Sequence, residues 1–229
     1  MKILTTLADQ QVEEMDKGFN VSRRRFLQLT GGIAGAGLLL NACKPTSAPA
    51  TRSMGTGDTG LLNFLFILQQ IEAAFYTQAV ATPYYGMDHL ELLAITDVRD
   101  QEIAHMEFFK KLLAGDAVDP LSPDFSTVVF ADRASVLSSA AKIENIVIAG
   151  LNGASTLFGD KGYSLAFSKM ASVEARHSAY FSQMNAANTF ADNVIDQNGL
   201  DQAQSPASVL TNALVYSHTK YDANGLPTH

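Results

Sequence analysis

Glu102-Ile103-Ala104-His105, followed by Phe108-Phe109, and Glu174-Ala175-Arg176-His177, followed by Tyr180-Phe181, decide the fold of this chain. Each Glu-x-x-His fills a gap in an apolar stripe of helical period. The first gap lies between Val98 and Phe109, in a helix expected from about Asp88 to Ala114. The second lies between Met170 and Phe181, in a helix expected from about Tyr163 to Ala187. Spacing of i, i+3 sets a carboxylate and an imidazole one turn apart on one helical face, so both address the same point. Two more helices carry a lone carboxylate inside an apolar run. Glu72 lies in Ile71-Glu72-Ala73-Ala74-Phe75, within a helix from about Thr59 to Ala81 whose stripe is Phe64, Leu68, Ile71, Phe75 and Ala79. Glu144 lies in Ile143-Glu144-Asn145-Ile146-Val147, within a helix from about Asp132 to Phe158.

Glu72 to Glu144, Glu102 to Glu174 and His105 to His177 are each separated by 72 positions. This reads as a duplicated helical hairpin. Residues at one level of an antiparallel hairpin share a fixed midpoint. For Glu72 and Glu102 it is 87, and for Glu144 and Glu174 it is 159; both land on predicted turns, at Gly86-Met87, just after the breakers Pro83–Gly86, and at Gly159-Asp160, in the breakers Gly159–Gly162. A longer breaker-rich stretch, Gly115 to Pro123, separates the pairs. The predicted fold is all-α: a four-helix bundle of two antiparallel hairpins joined by one longer crossover, with six polar side chains at one level. No strand alternation competes with these helices, though Ser126–Phe130 is short and β-branched.

Only six Glu follow residue 42, and four of them are these core positions, with Glu91 and Glu107 left over. Four ionised carboxylates inside an apolar bundle would each cost several kcal/mol uncompensated. Two divalent cations neutralise them, with both imidazoles neutral, and mixed His and carboxylate donors suit iron first and manganese second. The competing reading is four protonated or hydrogen-bonded carboxylates beside two satisfied core histidines.

The pattern resembles the ferritin-like superfamily in its carboxylate-bridged di-metal form, where two helices give a Glu and two give a Glu-x-x-His. The resemblance covers about Thr59 to Ala187 and is strongest to exported ferritin-like proteins related to plant desiccation-associated proteins. It implies that Glu102 and Glu174 bridge or share the metals, while Glu72 with His105 and Glu144 with His177 complete the two ions. It implies O2 or peroxide as small partners. The single cysteine is incompatible with a rubrerythrin-type rubredoxin domain, and the second Glu-x-x-His departs from cage-type ferritins.

Of 229 residues, 16 are Lys or Arg and 23 Asp or Glu, for a net charge of −7; such an acidic chain is not built to grip nucleic acid. One cysteine closes no intrachain disulfide and holds no cluster of thiolates. No apolar run reaches the roughly 20 residues of a membrane span. Residues 1–42 read as an address instead. Ser22-Arg23-Arg24-Arg25-Phe26-Leu27, before the Gly-rich apolar stretch Leu29–Leu40, resembles a twin-arginine export signal, against a short basic amphipathic helix as the alternative. Leu40-Asn41-Ala42-Cys43 resembles a lipoprotein cleavage box, with Cys43 the lipidated residue and the only membrane contact; cleavage after Ala48-Pro49-Ala50 is the rival. The expected destination is the periplasm or cell envelope. Residues 43–58 read as a flexible tether, and 188–229 as a polar tail with a short helix from Ser205-Pro206 to about Tyr216 that caps the bundle.

Several other residues have two readings each. Tyr76, four after Glu72, is a radical or metal-supporting tyrosine or a satisfied core tyrosine. Gly150, Asn152 and Gly153 open a channel or allow close packing. Asp97, Asp100 and Asn145 are possible partners for the imidazoles. His89, His218 and His229 fall outside the repeat register and read as surface residues. Two function classes fit: a redox enzyme acting on O2 or peroxide, and a protective or binding protein of the envelope whose metals only hold the bundle together.

Overall fold

Side-chain caps start the helices where the sequence changes texture. Asp88 accepts hydrogen bonds from the Leu90 and Glu91 N–H groups at the start of α2 (His89–Leu113). Asp132 takes the Ser135 N–H at α3 (Arg133–Ser155), and Asp160 the Gly162 N–H at α4 (Lys161–Asn185). Each such cap stabilises its helix by about 1 kcal/mol. In α1 (Gly57–Ala81) the first-turn Asp58 accepts instead from the Gly159 and Asp160 N–H groups, tying the start of this helix to the turn between α3 and α4. The computed structural model describes residues 51–192 and 194–228. The stretch read as an export signal, Cys43, the part of the expected tether before residue 51, and His229 lie outside the described residues.

Helices α1 and α2 form one hairpin, α3 and α4 the second, and residues 114–132 cross between them, as the repeat predicts. Helix α1 is the most enclosed, because the crossover and the C-terminal segment cover the sides that the other three helices leave. Two buried amides on α1 hold the crossover. Asn63 donates to the Met54 and Asp116 carbonyls and accepts from the Val118 N–H, and Gln70 accepts from the Leu121 N–H. Leu121, Phe125 and Val128 then close the bundle, with Phe125 edge-on to Phe75 at 5.7 Å. Ser126–Phe130 contains turns and no strand. By length and mean hydropathy (1.3) α3 does reach the composition of a membrane span, but its apolar face is the wall of this core.

The tether expected to run to residue 58 stops short. Arg52–Ser53 (β1) pair in parallel with Tyr221–Asp222 (β2), Met54 is buried, and α1 begins at Gly57. The partner strand lies some 170 residues away, so local composition could not announce it. Beyond α4 the chain returns along α3. Ser205 caps α5 (Pro206–Ala213), which runs into a 3-10 turn at Leu214–Tyr216 and buries Val209, Leu210 and Ala213. The glycines of α3 explain how close it comes. A Cβ on Gly153 would lie 1.9 Å from the Gln204 carbonyl oxygen, and one on Gly150 would lie 2.8 Å from Leu68 and 3.2 Å from Val209. The Gln204 N–H donates to the Ala149 carbonyl in the same contact. Close packing, not a channel, is the role of these glycines.

Candidate metal centre

All four core carboxylates arrive at one level. Glu72, Glu102, Glu144 and Glu174 have no exposed surface at all, and their helices deliver them there because each occupies the core stripe of an otherwise apolar helix. The two imidazoles enter from opposite hairpins in nearly mirrored geometry. His105 Nδ1 lies 3.2 Å from Glu102 on its own helix and 2.9 Å from Glu174 on the other hairpin. His177 Nδ1 lies 3.2 Å from Glu174 on its own helix, 2.9 Å from Glu102 across the bundle, and 3.7 Å from Glu144. Glu102 and Glu174 therefore each face both histidines. Glu72 joins through Gln69, whose side-chain amide donates to Glu72 Oε2 at 2.5 Å and to Glu174 Oε1 at 3.2 Å.

The electrostatics are those of a crowd of charges without water. Burial, reinforced by the three neighbouring carboxylates, raises the Glu72 pKa well above the ordinary carboxyl range. Burial likewise pushes Glu144 up to about 8, against the pull of His177. For Glu174 burial works in the same direction, but His105 and His177 outweigh it and hold the group at about 2. Burial opposes charge on the imidazoles, yet the surrounding carboxylates push His105 up to about 10 and His177 up to about 12. Without an ion the cluster balances itself with protons.

Hydrogen bonding leaves that balance incomplete. Glu72 Oε1, Glu102 Oε1, Glu144 Oε2, Glu174 Oε2 and His177 Nδ1 are buried without a hydrogen-bond partner. His177 Nδ1 is 2.9 Å from Glu102 Oε1, but the alignment makes no hydrogen bond. Buried polar atoms are normally paired, and each unpaired one costs about 1–3 kcal/mol. Five such atoms aimed at one place fit a cation. Glu102, Glu144, Glu174 and His177 each bring a donor atom within 4.8 Å of the others, a group that could hold a metal ion.

A family model of the ferritin-like domain matches residues 57–187, more than half of the chain. The chain belongs to the ferritin-like family. No curated protein matches it. For this ferritin-like protein the matched span begins with α1 and ends just after α4, so the C-terminal segment that covers α1 and α3 lies outside the family domain.

The supporting residues only partly follow the sequence reading of this ferritin-like chain. Tyr76 is buried and its hydroxyl donates to Glu144 Oε1 at 2.5 Å, while its ring stacks on Phe181. The partner of His177 is none of the three proposed residues. Its Nε2 lies 3.4 Å from Gln101 Oε1, which with the proton on Nε2 leaves the Nδ1 lone pair facing the carboxylates. Asp100 turns to Arg99, Asn145 accepts from the Ser178 hydroxyl, and Asp97 uses its carbonyl to hold Gln101. Gln69 and Gln101 were missed. Gln69 had a legible signal, a polar side chain one turn before Glu72 within the apolar run from Leu61; Gln101 sits on a half-exposed helix face and had none. His89 and His218 are exposed, as expected.

Proposed function

We propose that the cluster holds a carboxylate-bridged pair of transition-metal ions, iron first and manganese second, and that this centre reacts with O2 or peroxide. Five unpartnered donor atoms converging from four helices carry the proposal. Glu144 with His177 and Glu72 with His105 would each hold one ion, and Glu102 and Glu174, which face both histidines, would be shared between them. When bound, such a pair supplies two electrons to an oxidant by cycling each ion between two oxidation states.

The protein's own residues set the conditions for that chemistry. The apolar walls exclude water, so the charges interact strongly. Tyr76 holds a proton against Glu144 Oε1, and Gln69 fixes Glu72 and Glu174 relative to each other. His105 is the most open of the six, with 15% of its side chain exposed, and its edge of the cluster is where a small oxidant enters. Six protein donors for two ions leave coordination positions free, unlike a closed structural site.

Export follows the same logic. Residues 22–27 carry the twin-arginine pattern, a route for folded proteins, so the ions are loaded before the chain reaches the envelope, where Cys43 anchors it by a lipid. The test is metal analysis of protein matured in iron- and manganese-replete cells, followed by anaerobic reduction and rapid mixing with O2 and with peroxide. An absorbance change with either oxidant supports the redox reading. Two bound metals inert to both would leave a protective or binding protein of the envelope with a structural centre.

A further inference from the structure

The donor set obeys the 72-residue repeat, but the residues around it do not. Both side chains that donate to the terminal carboxylates, Gln69 and Tyr76, come from α1. Their register partners on α3 are Ala141 and Ile148, which donate nothing. The consequence is visible atom by atom. In the half formed with Glu144 and His177, the atoms Glu102 Oε1, Glu144 Oε2, Glu174 Oε2 and His177 Nδ1 are all without hydrogen-bond partners, and His177 Nδ1 lies 2.9, 3.7 and 3.2 Å from the three oxygens in that order. In the half formed with Glu72 and His105, Glu72 Oε1 is the one carboxylate or imidazole atom, among the described residues, buried without a partner, beside the Gln69 Oε1 amide oxygen. His105 Nδ1 is hydrogen-bonded with Glu102 Oε2 at 3.2 Å, and Glu174 Oε1 already accepts from Gln69.

Resting on the di-metal reading above, we propose that the half-sites are unequal by construction: the Glu144–His177 half takes its ion first, and Gln69 is the positioning residue that holds back the second. A cation entering the first half meets four atoms free of side-chain hydrogen bonds, since the Tyr76 hydroxyl occupies Glu144 Oε1 and leaves Oε2 open, and it breaks no hydrogen bond between side chains. A cation entering the other half must share or displace the amide N–H on Glu174 Oε1 and separate His105 from Glu102. An N–H donor on a carboxylate oxygen draws electron density from that oxygen and weakens it as a ligand. Hydrogen bonds to a charged group are worth about 1.5–3 kcal/mol, so the two affinities should differ by about tenfold or more. Gln69 is buried, 1% exposed, and donates to both carboxylates at once, so water does not replace it.

The test uses Mn(II) as probe. Crystals of the wild-type protein grown with one equivalent of Mn(II) should show one anomalous peak, among Glu102, Glu144, Glu174 and His177. Calorimetry should resolve two steps about tenfold or more apart, and Gln69→Leu should bring them together by strengthening the second. Gln70→Leu, which loses the crossover bond to Leu121, is the control: it should lower thermal stability without changing the gap. A first peak beside Glu72 and His105, or equal peaks at one equivalent, would overturn the inference. So would an unchanged gap in a folded Gln69→Leu protein. No Mn(II) at either position under saturation would instead overturn the di-metal reading itself.

Discussion

His177 Nδ1 lies 2.9 Å from Oε1 of Glu102, a carboxylate of the other hairpin, and the register-equivalent pair His105 and Glu174 repeats the distance at 2.9 Å. Each histidine is thus nearer to the partner hairpin's carboxylate than to the one on its own helix, which lies 3.2 Å away in both cases. Neither hairpin owns a complete site. The cluster exists only once the two are packed, and a metal bound there would for that reason be coupled to the packing of one hairpin on the other.

Replacing Glu174 with Ala should therefore cost at least one of two ions per chain, and Glu144→Ala should do the same with less effect on the half beside Glu72. Metal content of the purified variants, with helicity by circular dichroism as a check on folding, measures this.

Metal removal should destabilise the fold. An ion that binds the native bundle and not the unfolded chain adds about 2.7 kcal/mol at a free concentration one hundred times its Kd. Chelation of the loaded protein should lower Tm by several degrees, and readdition of Fe(II) or Mn(II) should restore it. An unchanged Tm would mean that the ions sit outside the core.

Loading should release protons. In the ion-free cluster His105 is pushed up to about 10, His177 to about 12 and Glu144 to about 8, so these groups carry protons at neutral pH that a metal must displace. Apparent affinity should fall as pH falls. Calorimetry in buffers of different ionisation enthalpy reads the proton count directly, and binding heat independent of buffer would contradict it.

Glu91 gives a pH dependence of a different kind. Hydrogen bonds from Arg133 across the hairpins, helped by Tyr84, hold its carboxyl below the ordinary value of 4.5. A depressed acid contributes stability that is present above its unfolded pKa and is lost as pH falls through the folded one. With Arg133 43% exposed, solvent screening limits the gain to at most about 1 kcal/mol. Glu91→Gln should lower the urea midpoint at pH 7 and narrow its difference from wild type below pH 4; a constant difference would place the effect elsewhere.

Gly153→Ala should dislodge the C-terminal segment. Its Cβ would meet a backbone carbonyl at 1.9 Å, which cannot rotate away, and overpacking of this kind costs about 1–3 kcal/mol. Faster proteolysis after residue 188 with the four-helix core intact is the expected outcome.

The bundle and its buried cluster of Glu and His side chains were legible because polar residues at core positions contradict the apolar period, and because the contradiction repeats after 72 residues. Helix starts were legible at Asp88, Asp132 and Ser205, whose side chains cap them, whereas the helix expected from about Tyr163 begins two residues earlier, at Lys161, because Asp160 caps it. What was not legible depends on contacts distant in sequence. Arg52 pairs with Tyr221, Gln101 finds His177, and Gly153 makes room for Gln204. Nothing local in those segments marks the partner. Asp100 illustrates the same limit from the other side: the right chemistry stood near the right imidazole, but Arg99 beside it was the stronger partner.

The most direct measurement is a crystal structure of protein loaded anaerobically with iron and then with manganese, with anomalous scattering at both edges. Two ions should be found, one beside Glu144 and His177, one beside Glu72 and His105, with Glu102 and Glu174 reaching both. An intact four-helix bundle holding no ion at that level, with Glu72 and Glu144 protonated and hydrogen-bonded instead, would contradict the account.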